Sequence, residues 1–159
     1  MRRFFVPLMI VCVLLLPSGI AQATPPSLAS GTYVTWIVDI TVVREVGGNT
    51  FLTIIKEGND FGTTMGHLTE TENVVVGKHI NTFHGVQTCD PCNVGGRLGT
   101  YVLRYEGTED QFGHHRGVYV ILSGTGDLAN LHGQGTFDGY TASDGTNSGT
   151  YSGQFHFDP

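Results

Sequence analysis

The sequence predicts an all-β protein built as a single eight-stranded antiparallel meander β-barrel. Most of the chain alternates residue types with a period of two, glycine-rich turns separate the alternating runs, and almost no stretch has helical periodicity. In addition, a glycine repeatedly stands two positions before an aromatic residue, and periodic glycine and aromatic residues are typical of small antiparallel barrels. These pairs are Gly31 and Tyr33, Gly99 and Tyr101, Gly117 and Tyr119, Gly135 and Phe137, and Gly149 and Tyr151.

The N-terminal residues are predicted to be a secretory signal peptide. Arg2 and Arg3 supply a positive start, and residues 4–16 are mostly apolar but too few to span a membrane. Ala21 and Ala23 then provide the small residues of a cleavage site. The pattern predicts export, to the extracellular space or the periplasm.

A retained anchor helix is the alternative to cleavage. Pro7 and Pro17 bracket the apolar run and argue against such a helix. The predicted organisation is therefore a signal peptide over 1–23 and a single β-barrel domain over 24–159, a length that is ordinary for one domain. No membrane association is expected after the signal peptide is removed.

The charge of the chain argues against a nucleic-acid partner. The sequence has 14 acidic and 8 basic residues, a formal net charge of −6 at pH 7. Proteins that bind phosphate backbones need clustered lysine and arginine, whereas the basic residues beyond the signal peptide are scattered singly. The acidity is interpreted as solubility outside the cell.

The first four strands are predicted from runs rich in β-branched and aromatic residues. Turn residues at 47–49 and 58–60 end the first and second runs, and Glu72 and Asn73 precede the fourth. The first run has one wholly apolar face, on which Trp36 is expected to reach the interior. That face consists of Val34, Trp36, Val38, Ile40 and Val42, and the four predicted strands cover 32–46, 51–57, 61–71 and 74–86.

The last four strands are predicted over 97–106, 115–122, 132–140 and 147–157, with polar loops at 107–113 and 141–145. Glycine and aromatic residues share one face of the fifth and eighth runs. These residues are expected to point inward, because alternating small and large side chains fill a closed sheet. They are Gly99, Tyr101, Leu103 and Tyr105 in the fifth run, and Gly149, Tyr151, Gly153, Phe155 and Phe157 in the eighth.

The sixth run is apolar on both faces, so a terminal segment or a partner subunit is expected to cover its exterior. Between the sixth and seventh runs, residues 126–131 are the only helix-like piece. Leu128 and Leu131 share one side of this single turn, which we interpret as a crossover plug or an end cap. A phosphate-binding loop is excluded there, because no Lys-Ser or Lys-Thr pair follows the glycines.

Cys89 and Cys92 remain after the signal peptide is removed, in the sequence Cys-Asp-Pro-Cys. In an oxidising compartment we predict a disulfide between them. A redox motif would need a helix after the first cysteine, and none is predicted. A zinc site would need two more ligands, but the nearest histidines, His79 and His84, point to opposite faces of a regular strand. No metal site is therefore predicted.

The region from Gly117 to Phe137 resembles a family of small bacterial barrels of unknown function related to allene oxide cyclase. The similarity lies in the sequence Ser-Gly-Thr-Gly-Asp-Leu at 123–128 and in the Leu-x-Gly-x-Gly-x-Phe pattern that starts at Leu131. The run that starts at Gly99 fits the fifth strand of that family. The resemblance implies an eight-stranded, calycin-like barrel with a central cavity, often oligomeric, and an enzymatic relative that works without a cofactor. No catalytic residue is carried over from it.

The candidate ligand-binding residues come from faces expected to point inward. The hydroxyl groups of Tyr101, Tyr105 and Tyr151 would each need a hydrogen-bond partner inside the barrel. His67 shares a face with Phe61 and Met65, and Asn81 shares one with Phe83, so each is a candidate polar group in the cavity. The full set is Trp36, His67, Asn81, Tyr101, Tyr105 and Tyr151.

Three functions remain open at this stage. The first is binding of a small, largely apolar molecule inside the barrel, and the second is a cofactor-independent cyclase or isomerase of the allene oxide cyclase type. The third is a filled barrel that serves as a structural or interaction module. No cofactor is expected for any of them, a homo-oligomer is compatible with all three, and binding is favoured because the sequence shows no acid and base pair.

Overall fold

The computed structural model describes residues 25–159, so the predicted signal peptide lies outside the described residues. Eight antiparallel strands follow one another in a meander, and the last pairs with the first, so that the sheet closes into a ring. This confirms the predicted all-β class and the predicted strand number and order. The strands are β1 (Ser27–Val46), β2 (Asn49–Gly62), β3 (Thr64–Val76), β4 (Ile80–Val94), β5 (Arg97–Asp110), β6 (His114–Gly126), β7 (Leu131–Thr141) and β8 (Asn147–Phe157).

The predicted turn at 58–60 is wrong, because β2 continues through these residues to Gly62. Gly58 pairs with Thr35 on one side and with Leu68 on the other, so a turn there would remove partners from two neighbouring strands. The chain reverses instead at Gly62, whose φ of 130° suits glycine. Similarly, the predicted loop at 107–113 begins too early, because β5 runs on to Asp110.

The Cys-Asp-Pro-Cys segment lies inside β4 and not in the predicted loop. Cys89 pairs with Tyr101 and Cys92 pairs with Gly99, so Asp90 and the cis-linked Pro91 form a bulge between two paired positions. A disulfide bond joins the two cysteines across this bulge, with 5.4 Å between their Cα atoms. Both cysteines are buried in the core.

The predicted orientation of β1 is also wrong. Tyr33 and Thr35 point into the ring, whereas Trp36 lies on the outside with 39% of its surface exposed. Tyr33 pairs with Gly149 of β8, and the absence of a side chain on this glycine leaves room for the Tyr33 ring. Beyond the register shift at Val38, Ile40 and Val42 lie opposite Ile54 and Leu52 but are more than half exposed, so the apolar alternation of β1 does not mark the interior.

The inward faces of β5 and β8 agree with the prediction. Tyr101, Leu103 and Tyr105 of β5 are buried, as are Tyr151 and Phe157 of β8. The outer face of β6 keeps Val118 and Leu122 exposed in the described part of the chain.

The helix-like piece after β6 is a turn and not a helix. Leu128 N donates to Thr125 O, and Leu131 N donates to Leu128 O, both at 3.0 Å. Leu128 and Leu131 are almost completely buried and join the core cluster at this end of the ring. The segment therefore acts as the predicted end cap, although its backbone turns more tightly than an α-helix.

The inner wall is built from aromatic rings that lie over glycines of neighbouring strands. Tyr105 is paired with Gly85, and a β-carbon added to that glycine would stand 2.6 Å from the ring. Tyr33 lies over Gly149 in the same way, and Phe137 over Gly117. Each of these glycines thus leaves the space that a ring from the next strand occupies.

Replacing Gly85 by alanine should destabilise the protein by about 2 kcal/mol, because overpacking a core commonly costs about 1–3 kcal/mol. The added carbon would meet both the Tyr105 ring and, at 2.8 Å, the backbone oxygen of Thr71. Urea unfolding measures the change. His84→Ala, at the exposed neighbouring position, is the matched control. Equal stability of the two variants would show that the Tyr105 ring does not require a glycine at position 85.

Candidate functional site

The interior of the ring contains a cavity of about 120 Å³, lined by side chains from all eight strands. One part of its wall is apolar and another is rich in carboxyl, hydroxyl and amine groups. The apolar side chains that line it include Val94, Leu103, Ile121, Phe137 and Phe155. Three hydrogen-bonded groups account for most of the polar wall.

The first group, which we call the acid cluster, consists of Lys56, Glu70, Glu72 and Tyr105. Lys56 Nζ lies 2.8 Å from Glu72 Oε1, and both side chains are more than nine-tenths buried. The Tyr105 hydroxyl lies 3.1 Å from Glu70 Oε2 and 3.1 Å from Glu72 Oε2. A hydroxyl carries one proton, so Tyr105 can donate to only one of these carboxyl groups at a time.

Within the acid cluster, the carboxyl of Glu70 has a raised pKa. Burial raises the pKa of its carboxyl to about 7, and the nearby Glu72 charge adds to the shift while Lys56 opposes it. A protonated Glu70 can donate to the Tyr105 oxygen, which frees the Tyr105 proton for Glu72. The cluster therefore has a proton-filled and a proton-poor arrangement near neutral pH.

The second group joins β2, β3, β5 and β8 around Asp60. The Tyr101 hydroxyl donates to Asp60 Oδ2 at 3.1 Å, and Thr64 Oγ1 lies 3.1 Å from the same oxygen. Tyr151 completes the group, since its hydroxyl lies 2.8 Å from Thr64 Oγ1. Burial raises the pKa of Asp60 to about 6, although the hydrogen bonds from Tyr101 and Thr64 oppose the shift.

The third group is a chain of hydrogen bonds from Tyr33 through His115 and Thr141 to Glu109. The Tyr33 hydroxyl lies 2.6 Å from His115 Nε2, and His115 Nδ1 lies 3.3 Å from Thr141 Oγ1. Thr141 in turn donates to Glu109 Oε2. Because Thr141 gives its only proton to Glu109, its oxygen must accept from Nδ1, which leaves Nε2 to accept from Tyr33.

The charge states along this chain agree with that assignment. Burial lowers the pKa of His115, which favours the neutral imidazole needed to accept a proton from Tyr33. Burial and the nearby Glu70 carboxyl raise the pKa of Tyr33, so its hydroxyl keeps its proton. The chain is therefore ordered as a relay that starts at the cavity and ends at a carboxylate.

The structure divides the six candidate residues into two sets. Tyr101, Tyr105 and Tyr151 line the cavity. Three other candidates do not line it: Trp36 and His67 lie outside the wall, and Asn81 lies at the rim. His67 shares its face with the exposed Met65, whereas the inward positions of β3 belong to residues such as Leu68.

Asn81 does not line the cavity but binds a residue that does, Glu109. Its side-chain amide donates to Glu109 Oε1 at 3.2 Å, and its carbonyl oxygen accepts from the Gly77 backbone at 3.3 Å. Asn81 therefore holds the carboxylate that ends the relay.

Sequence reasoning missed the charged lining residues, although a signal was present. Glu70 and Glu72 alternate with threonines, a pattern that usually marks an exposed strand. However, they share their period-two face with Leu68 and Val74, which are core residues. By the same rule Lys56 shares a face with the buried Ile54, so the core face of two adjacent strands carries opposite charges.

Other kinds of site find no support within residues 25–159. No three histidine, cysteine or acidic side chains come close enough there to hold a metal ion. The same residues include no helix with the length and apolar character that crossing a membrane requires.

Comparison with known proteins supports the fold. No family model matches the chain, and no curated protein matches it. The chain is similar to the crystal structure of a protein of unknown function from the DUF3224 family of Shewanella oneidensis MR-1, with a TM-score of 0.65 and 18% identity. The match covers 85% of this chain and 99% of that one. At this identity the likeness concerns the fold alone.

Proposed function

We propose that the protein binds a small, largely apolar molecule inside the ring, with one polar end of the molecule at the acid cluster. The observation that carries this proposal is the unfilled interior, whose wall combines apolar side chains with buried hydrogen-bonding groups. Binding sites for small molecules commonly have this composition, an apolar surface with a few convergent polar groups.

The cavity size limits the ligand to about one ring. A volume of about 120 Å³ is well below the roughly 300–1,000 Å³ of sites for drug-sized ligands. It is nevertheless several times what a single water needs, and an apolar cavity of about 150 Å³ accepts benzene. The third hypothesis, a filled module, is less favoured because side chains leave this space open.

The charges of the lining favour a neutral or cationic polar end. Asp60, Glu70, Glu72 and Glu109 line the cavity, against the single cation of Lys56. Lys56 is already paired with Glu72 at 2.8 Å, so an anionic ligand would meet carboxyl groups without a free cation. A hydroxyl or an ammonium group can instead donate to Glu70.

A cofactor-independent isomerase or cyclase of the allene oxide cyclase type is the second candidate function. Two observations favour it: the relay from Tyr33 to Glu109, and a Glu70 carboxyl whose pKa of about 7 suits proton transfer near neutral pH. Both groups border the same cavity. In such a reaction the ionised form of Glu70 would take a proton from one atom of the substrate and return it to another, so that the step consumes no net proton.

We also propose that the protein is secreted and that the disulfide forms during export. The signal pattern in the sequence and the paired cysteines support this, because disulfides persist in oxidising compartments. An apolar ligand would then be met outside the cytoplasm.

Three probes of similar size, which differ in the charge of their polar group, should show which kind of polar group the cavity accepts. We expect benzyl alcohol and benzylamine to bind and benzoate to bind at least about tenfold more weakly, since carboxyl groups outnumber amines in the lining. Methyl chemical shifts of Leu103 and Ile121, followed by NMR during titration, report binding inside the cavity. Ile121→Phe, which places a ring in the cavity, should abolish the response of the remaining reporter, Leu103. Binding that survives this change would place the ligand elsewhere.

Tyr105→Phe should weaken benzyl alcohol binding by about twofold to tenfold, since one hydrogen bond contributes about 0.5–1.5 kcal/mol. Tyr140→Phe removes a hydroxyl from an exposed ring and is the matched control. Thermal unfolding of both variants separates lost affinity from lost folding. Unchanged affinity in a folded Tyr105→Phe protein would remove this hydroxyl from the site.

Glu70→Gln should make the protein less sensitive to pH. The folded protein holds a proton on Glu70 up to about pH 7, whereas the unfolded chain releases it near the ordinary pKa. The raised pKa therefore stabilises the fold at low pH, and that contribution is lost as pH rises from about 4.5 to 7. At about 1.4 kcal/mol per pKa unit, the free energy of unfolding of wild type should fall by roughly 3 kcal/mol relative to that of Glu70→Gln over this range.

Urea unfolding at a series of pH values measures this difference. Glu106→Gln, which neutralises an exposed carboxyl on the outer face of the same sheet, should follow the wild-type profile. Parallel profiles for wild type and Glu70→Gln would show that Glu70 does not hold a proton in the folded cavity.

Export makes a separate prediction about the mature protein. The intact mass of protein recovered from the periplasm or medium should correspond to a chain that begins at Thr24 and has no free thiol. Retention of residues 1–23 would contradict the proposed cleavage. Two thiols that react without a reductant would contradict the formation of the disulfide during export.

A further inference from the structure

The second half of β1 runs beyond its pairing with β8. β8 pairs with β1 only from Ser27 to Thr35, whereas β1 continues to Val46 and pairs over that length with β2 alone. One side of residues 36–46 therefore has no strand partner within the described chain. We call these residues the open edge.

The open edge is strongly apolar and exposed. Val38, Ile40, Val42 and Val43 are each more than half exposed, and all are β-branched residues that favour strands. An unpaired strand edge with such side chains is a template for pairing with another strand, and soluble proteins normally protect it. This edge therefore needs an occupant.

Two register shifts in β1 place the acidic Asp39 and the basic Arg44 on the same face of the sheet. The register with β2 shifts at Val38 and at Val43, so Asp39, Thr41 and Arg44 are opposite Ile55, Thr53 and Phe51, respectively. Alternate residues of β2 share a face, and so do their partners. The Arg44 guanidinium lies 4.2 Å from the centre of the Phe51 ring, in agreement with this placement.

We propose that the open edges of two copies of this chain pair antiparallel about a two-fold axis through Thr41. Such an axis is perpendicular to the sheet and keeps each face on its own side, so paired residues must share a face. Asp39 and Arg44 meet this condition, because the extra residue Val43 puts Arg44, like Asp39, two paired positions away from Thr41. Each Asp39 is then opposite Arg44 of the second copy, which gives two ion pairs for each dimer.

The apolar residues of the other face fit the same register. Ile40 and Val42 lie on either side of Thr41. In the dimer, Ile40 of each copy is opposite Val42 of the other copy. Pairs of β-branched residues and of opposite charges both stabilise neighbouring strands, whereas like charges directly opposite destabilise them. A second copy is thus favoured over an unrelated peptide, because the edge is complementary to itself.

Charge exchange tests this register. Asp39→Arg and Arg44→Asp each place like charges opposite one another twice in the dimer, so each should raise the dimer dissociation constant about tenfold or more. The double variant restores both ion pairs with reversed signs and should return to within about threefold of wild type. Analytical ultracentrifugation of the protein, expressed from the full sequence, over a concentration series measures the constants.

Glu106→Arg is the control, since it makes the same charge change at an exposed position of β5, away from the open edge. Thermal unfolding confirms that the variants fold. A wild-type protein that stays monomeric throughout the series would overturn the proposal, and so would a dimer that neither single variant weakens. Failure of the double variant to recover would overturn the register. None of these outcomes depends on ligand binding in the cavity.

Discussion

The ring depends on the contact between an aromatic side chain and a glycine directly opposite it on the next strand. Tyr33, Tyr105 and Phe137 each lie over such a glycine, and a β-carbon there would stand within 2.7 Å of the ring. The rings then meet one another inside, where Phe137 packs edge-on against both tyrosines at centroid distances of 6.1 and 6.4 Å. Because the rings lie against the wall, the centre of the interior stays open.

The same contact brings hydroxyl groups to carboxyl groups on other strands. A tyrosine that lies across a neighbouring glycine carries its hydroxyl past that strand, so Tyr105 of β5 crosses β4 and reaches Glu70 and Glu72 of β3. Tyr33 reaches His115 in a similar way. Within residues 25–159, every buried side-chain nitrogen and oxygen has a hydrogen-bond partner. The ring packing and the polar wall are therefore one arrangement.

Sequence reasoning succeeded where a strand is paired on both sides and only one of its faces is buried. In β5 and β8 the period-two pattern identified the inward tyrosines, and the succession of eight runs joined by short links predicted the meander order. It failed for β1, because Trp36 lies on its outer face and the apolar residues after it belong to the exposed open edge. It also missed Lys56 and Glu72, since the partner that makes each charge acceptable in the core comes from another strand, and a single strand does not reveal that pairing.

The polar interior makes the ring less stable than an apolar interior would, and this bears on its function. A buried ion pair such as Lys56 and Glu72 commonly contributes no more stability than apolar side chains of the same volume would. Glu70 adds a carboxyl that burial keeps partly protonated near neutral pH, which lowers stability at higher pH. A ring that served only as a scaffold would be more stable with an apolar, filled interior. The retention of these groups around an open space therefore favours binding or proton transfer over a purely structural role, in line with the general observation that local departures from stability concentrate at functional sites.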